Sequence, residues 1–118
     1  MADDRRGYRE LIDELVRQCL SGQGSIGPRR ARAGVWNAHI TKEDDPDQHE
    51  YNELLARLSL EDRGVLAKLL NDEFYSGVHT ALVALHEAGI PPFDDGYEGT
   101  PFHDFVGRLN GWDWPDRS

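Results

Sequence analysis

Apolar side chains recur along this chain at the three-and-four spacing of amphipathic helices, and no segment alternates as a strand would. Tyr8, Leu11, Ile12, Leu15, Val16, Cys19 and Leu20 mark the buried face of a first helix over about residues 6–20, which Ser21-Gly22 ends. A glycine-rich loop follows, and Pro28 fits the first position of a second helix around residues 29–39. Val35, Trp36, His39 and Ile40 suit either that helix or irregular structure packed on a bundle. Residues 41–48 read as an acidic loop, from which Asp45-Pro46-Asp47 starts a helix reaching about Leu58, with Tyr51, Leu54, Leu55 and Leu58 inward.

Ser59 can cap the next helix, with Asp62 approximating a capping box. Its apolar stripe is Leu66, Leu69, Leu70, Phe74, Gly77, Val78, Ala81, Leu82 and Leu85, so a long central helix is predicted over about residues 60–88. Gly77 suits close approach of another helix or a bend. Gly89 is the stop, and Pro91-Pro92 prevents continuation. Beyond a turn-rich loop over residues 93–99, Thr100 can cap a last short helix with Pro101 at its first position. Phe102, Phe105, Val106 and Leu109 form its buried face, Gly111 suits the left-handed position after it, and Trp112 and Trp114 fold back. The expected architecture is all-α: one domain over residues 1–118, a bundle of four to five helices with an ordered C-terminal loop–helix cap.

At 118 residues the chain can bury roughly two thirds of the surface its unfolded form exposes, so folding needs no disulfide or metal. Charge changes the picture more. Residues 1–42 carry eight Lys/Arg and five Asp/Glu, a net of +3, while residues 43–118 carry five and seventeen, a net of −12. Such a surface repels phosphate backbones, so no nucleic-acid partner is expected, and a basic protein partner is. Arg29, Arg30 and Arg32 form the concentrated positive patch, whose plain reading is pairing with the chain's own acidic half. Cys19 is the sole cysteine and lies on an apolar stripe, as a buried structural thiol would. The opening MADDRRGYRE has no apolar stretch and no run reaches membrane-spanning length, so a cytoplasmic protein with no membrane partner is expected.

Candidate chemistry concentrates in residues 86–114, which hold two histidines, six carboxylates and six aromatics among five glycines and three prolines. His86-Glu87 begins like a zinc-protease motif, but Ile90 stands where the second histidine is required. His49 and Glu53 have metal-compatible spacing, but two ligands on an exposed helix are poor evidence and a solvated face explains them better. Asp72, His79 and His86 share a helix face, but successive members lie about 10.5 Å apart along its axis, too far for one metal from a straight helix. Asp94-Asp95-Gly96 fails the spacing of a calcium loop and suits a tight turn. Gly22 to Gly27 fits GxGxxG literally, but no βαβ unit surrounds it. A weaker form survives, in which backbone near Gly24 with Arg29 and Arg30 holds an anion at a helix start. No nucleophile has a recognisable setting, and no metal site or cofactor is assigned.

From Ser59 onward the words LEDRGVLAKLLNDEFYSGVHTAL and LHEAGIPPFDDGYEGTPFHDFVGRLNGW resemble a family of small acidic bacterial proteins classed as a domain of unknown function. The resemblance implies a bacterial, self-contained cytoplasmic protein and brings no activity, cofactor or catalytic residue.

The site is therefore expected where Asp94, Asp95, Tyr97, Glu98, His103 and His86 converge, as a concave acidic and aromatic surface against the long helix. The leading expectation is a non-enzymatic binding protein, inhibitor- or immunity-like, acting on a basic partner. The alternative is a small-molecule or metal-dependent enzyme with its site between the long helix and the C-terminal cap, using His79, His86, Asp94, Asp95, Glu98 and His103. A third is a subunit whose apolar face completes an oligomer.

Overall fold

The fold was obtained as a computed structural model, which describes residues 7–116. Five α-helices follow one another: α1 (Tyr8–Leu20), α2 (Ile26–Ala33), α3 (Pro46–Arg57), α4 (Leu60–Glu87) and α5 (Pro101–Leu109), with a short 3-10 turn over Gln23–Ser25 before α2. The architecture is all-α, and the one isolated bridge among the described residues joins Gly7 to Asp95. No helix of the described residues is long and apolar enough to cross a membrane. At 1.5 Å per residue α4 is about 42 Å long, and it sets the length of a molecule measuring 55 × 32 × 29 Å.

Local chemistry explains most helix ends. The Asp45 carboxylate accepts from the backbone N–H groups of Asp47 and Gln48 at 3.1 and 3.2 Å, with Pro46 in the first turn of α3. The Ser59 hydroxyl accepts from Asp62 N at 3.1 Å and starts α4. At the other end of α4, Gly89 takes φ +69° and Ile90 N donates back to the Leu85 carbonyl at 2.9 Å. Thr100 differs from its expected role: its side chain makes no capping bond, and only its carbonyl accepts, from Asp104 N. The Arg6 start expected for the first helix lies outside the described residues, and Gly7 is the observed N-cap.

The second helix is displaced from its predicted place. It spans Ile26–Ala33 rather than residues 29–39, so Pro28 falls inside its first turn. Gly34 stops it at φ +79°, its N–H and that of Val35 both returning to the Arg30 carbonyl. The chain then runs irregularly until α3. Asn52 of α3 clasps this stretch: its side-chain oxygen accepts from Trp36 N and Asn37 N at 2.6 and 2.9 Å, and its amide donates to the Asn37 carbonyl at 2.7 Å.

Two apolar clusters sit on α4. Around its C-terminal half, Tyr8, Ile12, Val16, Cys19, Leu82, Phe93 and Phe105 are buried together, with Phe74, Tyr75, Val78, Phe102, Leu109 and Trp114 against them. Around its N-terminal half, Ala31, Leu55 and Ala67 are buried, with Trp36, Leu58, Leu66 and Leu70 around them. The predicted inward faces are narrower than expected. Leu20, Tyr51, Leu54 and Leu69 are exposed, because no element lies over those sides of α1, α3 and α4. Gly77 meets nothing: a Cβ there has no atom within 4 Å, so it admits no helix of this chain. The close approach occurs at Gly24, where a Cβ would lie 2.6 Å from the Phe74 ring and 2.9 Å from the Cys19 backbone.

Candidate functional site

The C-terminus of α4 and the loop that leaves it enclose a pocket of about 500 Å³, a size typical of ligand sites. Its apolar wall comes from Leu82 and Leu85 on α4, Ile90, Pro91, Pro92 and Phe93 on the loop, and Pro101 at the head of α5. Among the described residues, His86, Asp94, Asp95 and Tyr97 supply its ionisable groups. The pocket exists because Gly89 turns the chain sharply and Pro91-Pro92 then holds it extended away from α4. Gly96, at φ +73°, makes the second turn, and its backbone passes close to Tyr8.

Tyr8 is the post on which this loop hangs. Its N–H donates to the Asp95 carbonyl at 3.0 Å, and its ring packs edge-on against Phe93 and Tyr97 at 4.9 and 5.6 Å. Its hydroxyl donates to Asp104 Oδ2 of α5. Burial pushes the Tyr8 phenol well above its ordinary range, and the Asp104 carboxylate it donates to pushes the same way. The Tyr97 ring lies nearly parallel to Phe93 at 5.3 Å, yet Tyr97 stays 57% exposed and offers its other surface outward.

The six nominated residues divide. His86, Asp94, Asp95 and Tyr97 line the pocket. Glu98 turns aside to form a bidentate pair with Arg9 of α1, both contacts at 2.7 Å, and this pairing holds the Arg9 guanidinium above its ordinary value. Arg9 also donates to the Pro115 carbonyl at 2.9 Å and lies 5.0 Å over the Trp114 ring. His103 lies outside the pocket, exposed on α5 with its ring 4.6 Å from Phe102. His79 and His86 pack edge-on against the same Phe102 ring at 5.7 and 5.4 Å. The three imidazoles thus surround a phenyl ring instead of one another, and the described residues contain no group of three or more His, Cys, Asp or Glu able to hold a metal. His49 pairs with Glu53 on α3.

The groups considered for an anion do not converge. Gly24 is buried beneath Phe74, Arg29 donates to the Ser25 carbonyl at 3.2 Å, and Arg30 lies 5.5 Å over the Trp36 ring. The 3-10 turn already occupies the backbone there, Ile26 N donating to the Gln23 carbonyl. Arg29, Arg30 and Arg32 do not pair with the acidic half as expected: the ion pairs that join two described residues are Arg9–Glu98, Arg17–Glu14, His49–Glu53 and Arg108–Asp13. These arginines point outward from α2 at the end remote from the pocket, which is where that helix packs on α4.

Sequence reasoning missed the contribution of α1. Asp13 accepts from Arg108 at 2.7 Å and from the Trp114 indole at 3.0 and 3.2 Å, tying α5 and the C-terminal segment to α1. Tyr8, Arg9 and Asp13 all lie within the first turn and a half of α1, so the N-terminal end of this helix holds the whole cap. The periodicity revealed that Tyr8 faces inward, but no local signal connects it to Asp104, 96 residues later. Pro91 and Pro92, read as preventing continuation of the long helix, turn out with Ile90 to be pocket walls.

No curated protein and no solved structure matches the chain. The pattern of a family of unknown function (DUF6547) matches residues 1–116, extending over the first half of the chain as well as the part from Ser59 where the wording is distinctive. With nearly its whole length matched, the chain belongs to that family of unknown function.

Proposed function

We propose that the protein is a non-catalytic binding module that engages a basic protein partner at the pocket beside the C-terminus of α4. The observation that carries this reading is the pocket's lining, which among the described residues joins apolar walls to two carboxylates, an imidazole and a phenol. An apolar side chain of the partner enters between Leu82, Leu85, Ile90 and Pro92, and a neighbouring Lys or Arg lies over Tyr97 and beside Asp94 and Asp95. A carboxylate offers about four acceptor sites, so the contacts these two aspartates already make leave room for more. The C-terminal end of α4 adds the negative pole of its dipole. The net −12 of residues 43–118 steers such a partner inward. An inhibitor- or immunity-like protein is one form of this activity.

The test is a titration of ¹⁵N-labelled protein with short peptides. A peptide presenting leucine or phenylalanine between lysines is expected to shift the amides of residues 85–97, with affinity falling as salt rises. The same peptide with glutamates for lysines, or glycine for the apolar residue, is expected to leave them unmoved. Equal binding of the charge-reversed peptide, or shifts confined to another surface, would overturn the reading.

A further inference from the structure

We propose that the outer face of α2 is a docking surface for a short acidic segment of a protein partner, held by Arg29, Arg30 and Arg32. Residues 15–42 carry Arg17, Arg29, Arg30, Arg32 and Lys42 and no Asp or Glu, a net of +5, in a chain whose Asp and Glu total 22. With a net of −9 overall, the rest of the chain stands at −14. Three of the five cations fall within four residues of α2, and all three are exposed together with Ala33.

The ordinary uses of a surface arginine do not account for them. Among the described residues none of the three makes an ion pair, although the chain is rich in carboxylates. Nor do they close their own helix, because the Arg30 and Ala31 carbonyls already accept from the N–H groups of Gly34 and Val35. Two of them are held in place instead. Arg29 Nε donates to the Ser25 carbonyl at 3.2 Å, and the Arg30 guanidinium lies 5.5 Å over the Trp36 ring. Each keeps further N–H groups to offer a carboxylate, and a side chain already positioned loses less rotamer freedom on binding.

Placement selects the ligand. The eight residues of α2 span about 12 Å, the reach of about four extended residues. The three guanidiniums spread around the outer face without converging, so a lone ion meets one of them while a segment with several carboxylates meets all three. Val35, 44% exposed, follows the helix, and an apolar residue beside the acids covers it. A long polyanion or an anionic bilayer would bring its charge against the −14 of the rest of the chain. A short segment touches α2 alone. This surface is independent of the pocket: α2 packs through Ala31 beside Ala67, whereas the pocket begins at Leu82.

The test is a titration of the ¹⁵N-labelled full chain with an acetylated peptide of glutamates around a central leucine. The amides of residues 29–36 are expected to shift, with affinity falling as salt rises, and the same peptide with glutamines for glutamates should leave them unmoved. Arg29→Gln/Arg32→Gln is expected to weaken binding about fivefold or more. Arg17→Gln, which removes an exposed cation that pairs with Glu14 on α1, should leave it unchanged. The three substituted positions are exposed, so helical circular dichroism should persist. The lysine peptide that tests the pocket should not move residues 29–36, so the two surfaces fail separately. Shifts that miss residues 29–36, or an affinity that the double variant leaves intact, overturn the proposal. So does tighter binding of phosphatidylserine vesicles or of a single-stranded oligonucleotide than of the peptide.

Discussion

Around the C-terminal half of α4, seven side chains are buried together and three of them are the large aromatics Tyr8, Phe93 and Phe105; around its N-terminal half, three are buried and two of those are alanines. Burying a large apolar side chain contributes about 1.5–3 kcal/mol, and an alanine much less, so the two ends of one helix differ several-fold in hydrophobic support. The C-terminal end is further tied by Arg9–Glu98, Asp13–Arg108, Tyr8–Asp104 and the stacked aromatics. The other end relies on Asn52, on Arg63 donating to the Leu55 carbonyl at 3.0 Å, and on Arg30 over Trp36. The pocket lies at the well-supported end. A recognition surface gains from a rigid frame, because less ordering entropy is lost on binding. The difference also predicts two tiers of local stability along one continuous helix.

The largest effect should come from the better-packed end. Phe105→Ala is expected to cost about 3–5 kcal/mol by urea denaturation, and Leu55→Ala about 2 kcal/mol, the low end for a large-to-small change because the thin cover around Leu55 can collapse. Equal costs would break the comparison. Next comes Tyr8→Phe, which leaves the Asp104 carboxylate without its donor and should cost about 1–3 kcal/mol. The native phenol is raised above the ordinary tyrosine value of 10.0, so the stability it contributes is fully present below that value and is lost as pH rises beyond it. Absorbance at 295 nm should accordingly show that the Tyr8 phenolate forms only together with unfolding at alkaline pH. A native protein in which all four tyrosines titrate reversibly near pH 10.0 would contradict this.

A smaller effect should separate the two ends. Asp45→Ala removes the cap of α3 and should cost about 1 kcal/mol, read as faster amide exchange in α3 with α1 and α5 unchanged. Protection lost equally everywhere would mean that the two ends unfold as one. The smallest concerns the exposed Glu14–Arg17 pair on α1. The guanidinium holds the Glu14 carboxyl down at about 2, so its contribution is present above the usual glutamate range and fades as pH falls toward that value. Solvent screens the pair, and Glu14→Gln should leave the urea midpoint at neutral pH unchanged.

The helices were legible because each is a local object. The inward spacing of Ile12, Val16 and Cys19, the caps at Asp45 and Ser59, and the stops at Gly89 and Gly111 are all written within a few residues of where they act. The second helix was misplaced for the same reason. The prediction leaned on Pro28, whereas the 3-10 turn and the left-handed Gly34 set its ends. The site was half legible. Composition drew attention to His86, Asp94, Asp95 and Tyr97, which do share a pocket, but composition cannot tell a ligand group from a structural one. Glu98 went to Arg9 because α1, 89 residues earlier, docks beside the loop, and His103 lies on the exposed side of α5.

By itself the sequence determined that this chain is helical, where α4 begins and ends, and which segment is too rich in turns and aromatics to be a linker. Those outcomes depend on backbone dihedrals and side-chain period, which act over one or two turns. Only the tertiary structure decided that Tyr8 supports the loop, that Pro91 and Pro92 wall a pocket and that one side of α4 stays bare. Those outcomes depend on which helices meet in space, and the energy of such meetings comes from burying surfaces that lie far apart along the chain.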